Sequence, residues 1–503
     1  MSSELNLDIH GKPYRRGIIL ALILFATFSG VLMQTSLGTA LPTLMQDFDI
    51  NLSTAQQATT WFLLANGMMV PLSAYLATKM STKWLHFISY GILMAGLILT
   101  AVTPAEKNMW VMFIAGRVLA AIAVGIMLPL MQIVILNMFK KSERSVAMGL
   151  SGLVVGMAPA IGPTLSGWIL DRDHTILGLT ISSSWRTIFV VPLIVIVIAF
   201  ILTPFVMKDI IPNKKIKLDI LSLILSVVGF GLFLWGFTNV AGDGWTDFTN
   251  VLLPIGVGLL VIIIFGLRQL KLDEPFLNIR VFKNRDFTIP SIAIILVTMA
   301  MFGVEMMLPT YLQNVHGDST LSSGLTLLPG ALMMGIMSPI AGVLYNRVGI
   351  RSLALVGFSV LLLGTVPFVF ITETTPTALI VVLYAIRMFG IALTMMPLTT
   401  SAMSAIPLDE VTHGTAANNT VRQISSSVVV ALLTSVTQNI INTNTPAASL
   451  QTENPLAYGS KIIAASMDGF RASFAIGLSF AVAGVLFAIF LHNKPGKITK
   501  GAN

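Results

Sequence analysis

The sequence has no cysteine and little charge: of 503 residues, 30 are Lys or Arg and 22 are Asp or Glu, so 10% are charged. Ordinary soluble domains carry about 25%. The absence of cysteine excludes a disulfide framework, a thiolate zinc site and a thiol nucleophile. The scarcity of charge, beside 55% apolar residues and a mean hydropathy of +0.85, excludes a water-soluble enzyme. Walker, GxSxG and histidine-rich zinc spacings are missing from any context that would use them. ATP hydrolysis and hydrolytic catalysis therefore have no support, and the chain is not expected to be an enzyme.

Long uncharged runs take the place of these features. A bilayer core about 30 Å thick needs about 20 apolar residues of helix, because every backbone amide must be bonded inside the segment. Such runs extend from Gly17 to Gln46, Ile50 to Thr78, Trp84 to Ala105, Ser145 to Leu170, Thr187 to Met207, Ile220 to Gly242 and Phe248 to Leu267. Others begin near Phe287, Ser319, Ser352, Ala378, Ile424 and Ala472. With the run from Trp110 to Met138, interrupted only by Arg117, they predict an all-α integral membrane protein of fourteen transmembrane helices. The first run is too long for a secretory leader and ends in no convincing cleavage site, so it is read as retained.

Lys and Arg set the orientation. With loops assigned alternately to two sides, one side collects twenty-two bases. They run from Lys12, Arg15 and Arg16 through Lys79, Lys83, Lys214, Lys215, Lys217, Arg347 and Arg351 to Lys494, Lys497 and Lys500. The other side has Lys107, Arg172, Arg186, Lys461 and Arg471. This asymmetry predicts a multi-pass protein of the cell membrane with both termini cytoplasmic. It also assigns the formal charge of +8 to membrane lipids, with no nucleic-acid partner.

The two halves carry matching signals. A basic turn, AYLATKMSTK from Ala74 to Lys83, follows the second span, and GVLYNRVGIR from Gly342 to Arg351 follows the tenth; Arg117 and Arg387 form another matched pair. This predicts an N-terminal six-helix bundle over 1–207 and a C-terminal one over 287–503, with the site between them. Residues 208–286 hold an inserted transmembrane hairpin, turned by GDGWTD, and its cytoplasmic linkers. The polar stretch from about Asn442 to Phe470 is expected to be an external non-helical loop.

The fifth span, GLVVGMAPAIGPTLSGW from Gly152 to Trp168, resembles the antiporter signature of the major facilitator superfamily. TALP (Thr39 to Pro42), SWRTIF (Ser184 to Phe189), EPFLNIRVFKNRDF (Glu274 to Phe287), LPTYLQ (Leu308 to Gln313), SGLTLLPGAL (Ser323 to Leu332) and NNTVRQI (Asn418 to Ile424) resemble the fourteen-helix drug:proton antiporter branch. The resemblance implies a major facilitator fold and multidrug efflux by alternating access, the basis of antibiotic resistance, driven by the proton gradient with no cofactor. Departures from the family pattern are Met33 in place of an Asp, Thr78 and Asn346 in place of the turn acids, Ser81 in place of a Gly, and Ala120 and Ala121 after Arg117.

Charge inside a membrane costs about 2.5 to 3.5 kcal/mol on insertion scales and marks candidate sites. Glu305, the one carboxylate well inside a predicted span, is the candidate proton carrier; its competing reading is a surface acid in the headgroups. The resemblance links Arg117 to proton handling, Arg387 is its counterpart, and a structural counter-charge to helix ends is the alternative for both. Gly152, Gly156, Pro159, Gly162, Pro163 and Gly167 form the candidate antiporter hinge, since small residues allow close approach and proline frees carbonyls. Gln34, Trp61, Asn66, Tyr311 and Gln313 are candidate cavity residues. Lys79, Lys83, Arg347, Arg351 and Arg422 are candidates for a cytoplasmic gate, or for headgroup anchors.

The expected function is proton-coupled export of amphipathic, lipophilic small molecules, neutral or weakly cationic ones above dications, by a monomer without a metal. A lipid or glycolipid flippase on the same scaffold, and more remotely a non-transporting sensor or scaffold, are the alternatives. Reporter tags fused to either terminus should both read cytoplasmic; tags reading on opposite sides would overturn the even number of spans.

Overall fold

The computed structural model describes residues 6–492 other than 39, 51, 177, 214–218, 274, 276 and 409. The linker bases Lys214, Lys215 and Lys217, the terminal Lys494, Lys497 and Lys500, and Thr39, Glu274 and Phe276 of the quoted segments lie outside the described residues.

The apolar runs are helical, as closure of backbone hydrogen bonds in lipid requires. The first half contains α1 (Arg16–Leu32), α2 (Leu41–Phe48), α3 (Leu52–Lys79), α4 (Thr82–Val102), α5 (Trp110–Met138), α6 (Arg144–Gly152), α7 (Ala158–Asp171) and α8 (Trp185–Val206). A π turn, Leu153–Met157, joins α6 to α7. The inserted hairpin is α9 (Ile220–Asp243) and α10 (Leu253–Lys271). The second half contains α11 (Arg285–Glu305), α12 (Leu308–Asn314), α13 (Thr320–Thr365), α14 (Thr377–Ser404), α15 (Val411–Asn444), α16 (Ala448–Glu453) and α17 (Pro455–Ala488). Two short strand pairs, Asn6–Leu7 with Pro13–Tyr14 and His174–Ile176 with Leu179–Ile181, are the described β structure.

Eleven described helices are long and apolar enough to cross a bilayer, or twelve with the bent α6–α7 pair taken as one. Fourteen is reached only by also counting α1, 17 residues long, and the two arms of α13. Those arms meet at Gly349, whose φ of 78° only glycine adopts readily, so the chain reverses inside one continuous helical stretch. Each half has a large apolar core, and the first core extends into Phe287, Met403 and Ala416 of the second half. These residues lie at the end carrying Lys79, Arg347 and the start of α1, called here the basic end. Burial separates centre from rim: 78% of the most apolar part of α5 is enclosed against 22% of α10, which presents Leu260 and Ile263 outward.

Two expectations are corrected. The run from Gly17 to Gln46 is not one helix, because α1 stops at Leu32 and α2 begins eight residues beyond Met33 with Leu41-Pro42. The same device recurs where α11 stops at Glu305 and α12 begins with Leu308-Pro309, so that LPTLMQ and LPTYLQ are matching restarts. A proline in the first turn suits a helix start because it has no N–H to leave unpaired. Second, residues 442–470 are largely helical: α15 runs on to Asn444, and the Asn454 side chain caps α17 by accepting the Ala457 amide. Polar residues lower hydropathy without preventing a helix outside the apolar core.

The hairpin lies across both halves, α9 packing on α3 and on α15. The Trp61 and Trp235 rings are 5.2 Å apart, and Gly67 is wedged between Leu234 and Gln423. At the basic end Asp219 caps α9 and accepts two-pronged bonds of 2.9 to 3.0 Å from Arg268 of α10. Burial raises the Asp219 carboxyl, but the Ser222 bonds and the Arg268 guanidinium outweigh it and hold the acid below its ordinary range. Stability from a depressed carboxyl is present above its unfolded value, about 3.9, and is lost as pH falls through the folded value. Asp219→Asn should therefore lower the melting temperature at pH 7, with the gap to the parent chain closing below about pH 4. An unchanged gap at low pH would show that the pair is not the cause.

Candidate functional site

The glycines of the signature helix let the two halves touch backbone to backbone. A Cβ on Gly149 would lie 2.5 Å from the Ser338 carbonyl oxygen and 2.6 Å from the Pro339 Cα of α13, and one on Gly152 would lie 2.7 Å from Ser338. Gly156 meets the Met334 side chain; towards the two ends, Gly342 packs on the Ser145 backbone and Gly324 on Thr164. The helix bends by 45° between 144–157 and 161–171. Pro163 has no N–H for the Pro159 carbonyl, and Thr35 Oγ1, in the break after α1, donates to that oxygen at 2.8 Å. Gly162 makes room, since a Cβ there would lie 2.5 Å from the Thr35 hydroxyl and 2.9 Å from the Leu32 carbonyl. Gly167 is buried further along.

Two arginines brace the first span of each half in a similar way. Arg117, 1% exposed, donates through Nη2 to the Met33 carbonyl at 3.0 Å and through Nε to that of Ala58 at 3.5 Å, with its guanidinium 4.3 Å from the Phe62 ring. Arg387 donates through Nη2 to the Ala300 carbonyl at 2.8 Å and through Nε to Thr365 Oγ1 at 2.9 Å. Met33 and Ala300 each stand eight residues before their Leu-Pro restart. In each arginine Nη1 is enclosed without a hydrogen-bond partner. The second site has an acid that the first lacks: Glu305, the last residue of α11, lies in electrostatic range of Arg387 and Tyr384. Glu305 Oε2 and the Tyr384 hydroxyl are also enclosed and unpartnered. A charge so held is costly, and one proton removes it.

Nearer the basic end, a polar chain crosses from one half to the other. Asn419 of α15 donates through Nδ2 to Gln132 Oε1 of α5 at 2.7 Å, and Arg422 Nη2 donates to Asn419 Oδ1 at 2.8 Å. Arg422 is not near the start of its helix as expected, because α15 begins at Val411 and carries the NNTVRQ segment within it. Protein rather than lipid surrounds those polar residues, so low hydropathy concealed the helix. Composition alone does not single out Gln132 and Asn419; their signals are a mid-helix amide among the apolar residues of α5 and the Asn pair beside Arg422.

The other candidates are dispersed. Gln34 and Gln313 are half-buried, Gln34 in the α1 break and Gln313 in α12, while Asn66 is buried against Gly125. Trp61 faces the hairpin. Tyr311 is fully buried within the second half, its hydroxyl donating to the Thr372 carbonyl at 2.7 Å. At the basic end Lys79 donates to the Tyr75 hydroxyl one turn back, and Arg347 and Arg351 are exposed. Asp209 gathers the Ser81 hydroxyl at 2.5 Å, the Lys83 amide at 3.1 Å and His10 at 3.4 Å. Burial raises its carboxyl, but these partners hold it below its usual range. Thr78 bonds back to the Ala74 carbonyl, whereas Asn346 reaches across to the Ser142 carbonyl of the first half at 3.1 Å. Among the described residues no group of acids and histidines is placed to hold a metal ion.

The family model of the Major Facilitator Superfamily matches residues 23–430. The chain belongs to the major facilitator superfamily. It is 40% identical to "Uncharacterized MFS-type transporter YcnB" of Bacillus subtilis, covering 98% of each chain. It is 34% identical to "Lincomycin resistance protein LmrB" of Listeria innocua over 96% of this chain and 98% of that one. It is 28% identical to "Multidrug export protein EmrB" of Escherichia coli over 84% and 80%. Among solved structures, the proton:xylose symporter XylE matches with a TM-score of 0.61 at 13% identity, covering 95% and 97%, a likeness of fold. The chain is thus a multi-pass membrane transporter with the major facilitator fold, and not an enzyme.

The seam predicts a contrast within this transporter. Gly149→Ala puts a methyl against backbone that cannot move aside and should destabilise by about 1 to 3 kcal/mol. Gly156→Ala meets the side chain of Met334, from Cγ to its methyl, rather than backbone and should cost less, which thermal melts of the two purified variants will compare. Equal melting temperatures would show that the seam is not tightly packed.

Proposed function

We propose that this transporter exports amphipathic, lipophilic small molecules in exchange for protons, by alternating access between its two halves. The relatives named for lincomycin resistance and multidrug export support the cargo class. The observation that carries the coupling is the half-buried Glu305, whose Oε2 is enclosed without a donor, in electrostatic range of Arg387 and Tyr384. The chain crosses the membrane fourteen times with both termini cytoplasmic, so this cluster faces the outside half. Proton arrival there from outside cancels the negative charge opposite Arg387 and biases the halves toward reopening inward.

In the same reading the basic end is the cytoplasmic gate. Gln132–Asn419, Asn346–Ser142 and the approach of Gly342 to Ser145 hold it closed. Lys79, Lys83, Arg347 and Arg351 anchor headgroups around it. Arg117 keeps the broken end of α1 satisfied and Arg387 braces α11 during the movement, and no cofactor takes part.

In proteoliposomes with an imposed pH gradient, Glu305→Gln should reduce proton-driven dye export at least about tenfold, a barrier change of roughly 1.4 kcal/mol. Arg387→Lys should keep part of it. Wild-type rates and an unshifted pH profile in Glu305→Gln would remove Glu305 from the coupling.

A further inference from the structure

Among the described residues Arg422 is a cation without a carboxylate counterpart, inside α15 and beside the Gln132–Asn419 bond. It stands eleven residues into the 34-residue α15, which at 1.5 Å per residue is about 16 Å from the start of that helix at the basic end. Its guanidinium donates to the Asn419 side chain, and that amide is already held by Gln132. The side chain nevertheless keeps accessible surface. The helices packed against α15 are α3, α5, α9, α11, α14 and α17. Their described carboxylates are Asp243, which ends α9; Asp286, which opens α11; Glu305, beside Arg387; and Asp468, which is exposed and 3.8 Å from Arg471. On α15 itself there is none, and Glu410 at its start bonds to Asn278.

Arginine does not lose its charge readily, and insertion of one at this depth is unfavourable unless something offsets it. An amide oxygen offsets part. The guanidinium fork suits a carboxylate, sulfonate or phosphate, which it can grip with two parallel bonds. Arg422 lies beside the crossing between the halves, where alternating access must pass the cargo.

We infer that Arg422 is the counter-charge for the cargo, and that the pathway prefers amphiphiles bearing an anionic group, or neutral ones rich in acceptors, over lipophilic cations. This rests on the exporter reading above and shifts its expected cargo from weakly cationic to anionic. Asn419 holds the guanidinium in place, and Gln132 ties that arrangement to the closed gate, so an anion that draws Arg422 away from Asn419 also weakens the crossing bond.

The experiment reconstitutes the whole chain in liposomes and follows a fluorescent naphthalene sulfonate, an uncharged lipophilic dye, tetraphenylphosphonium and a fluorescently labelled phosphatidylglycerol. The parent chain should move the sulfonate or the labelled lipid faster than tetraphenylphosphonium; which of the two moves tells a free amphiphile from a lipid headgroup as the anion. In Arg422→Gln the ratio of anion to neutral-dye transport should fall about tenfold, the usual worth of one charge-assisted contact, and Arg422→Lys should restore most of it. An equal loss for every probe, with the ratio unchanged, would make Arg422 a structural latch and overturn the inference. So would a parent chain that moves the cation alone, which leaves the exporter reading standing. If no probe moves in the parent chain, the exporter reading itself falls and takes this inference with it.

Discussion

A carbonyl released from a helix inside a membrane has no water to bond to, and the broken first helix depends on side chains that reach such carbonyls. Met33 and Pro159 each lose the amide that an unbroken helix would supply, and the substitutes come from elsewhere: Arg117 for Met33 and Thr35 for Pro159. Arg387 makes the matching brace in the second half on Ala300, inside α11. Two of these bonds tie the first helix of a half to its fourth, and the third ties that first helix to the signature helix. The breaks are thus where helices of one half are fastened together.

The two halves spend nearly the same geometry on different chemistry. Arginine, carbonyl and aromatic ring recur, but only the second half adds Glu305, with the Tyr384 hydroxyl close by. With Met33 in the first half, Arg117 faces the Met33 and Ala58 carbonyls and the Phe62 ring. In the proposed exchange this asymmetry puts the proton-binding group in one half alone.

Apolar runs made the helices legible in the sequence, since lipid imposes a strong and simple rule on composition, and the glycines from 152 to 168 marked a helix that packs closely on α13. Breaks were not legible: Gln34 and Thr35 sit in an uncharged run whether or not the helix continues. Polar helices were also hidden. NNTVRQ fails a hydropathy test because its surroundings are protein, and the Gln132–Asn419 bond joins residues 287 positions apart. Trp61 and Tyr311 carry the size and polarity of cavity residues, but burial against the hairpin and against Phe470 uses the same properties for packing.

The α9–α10 hairpin touches both halves along one flank only, while the opposite flank is the bare glycine seam. A rocking pair hinged in this way does not part evenly. Separation beside α3 and α15 must drag or shear an extra pair of helices through lipid, whereas the glycine flank moves free of that load, so friction with the bilayer falls on one side of every cycle.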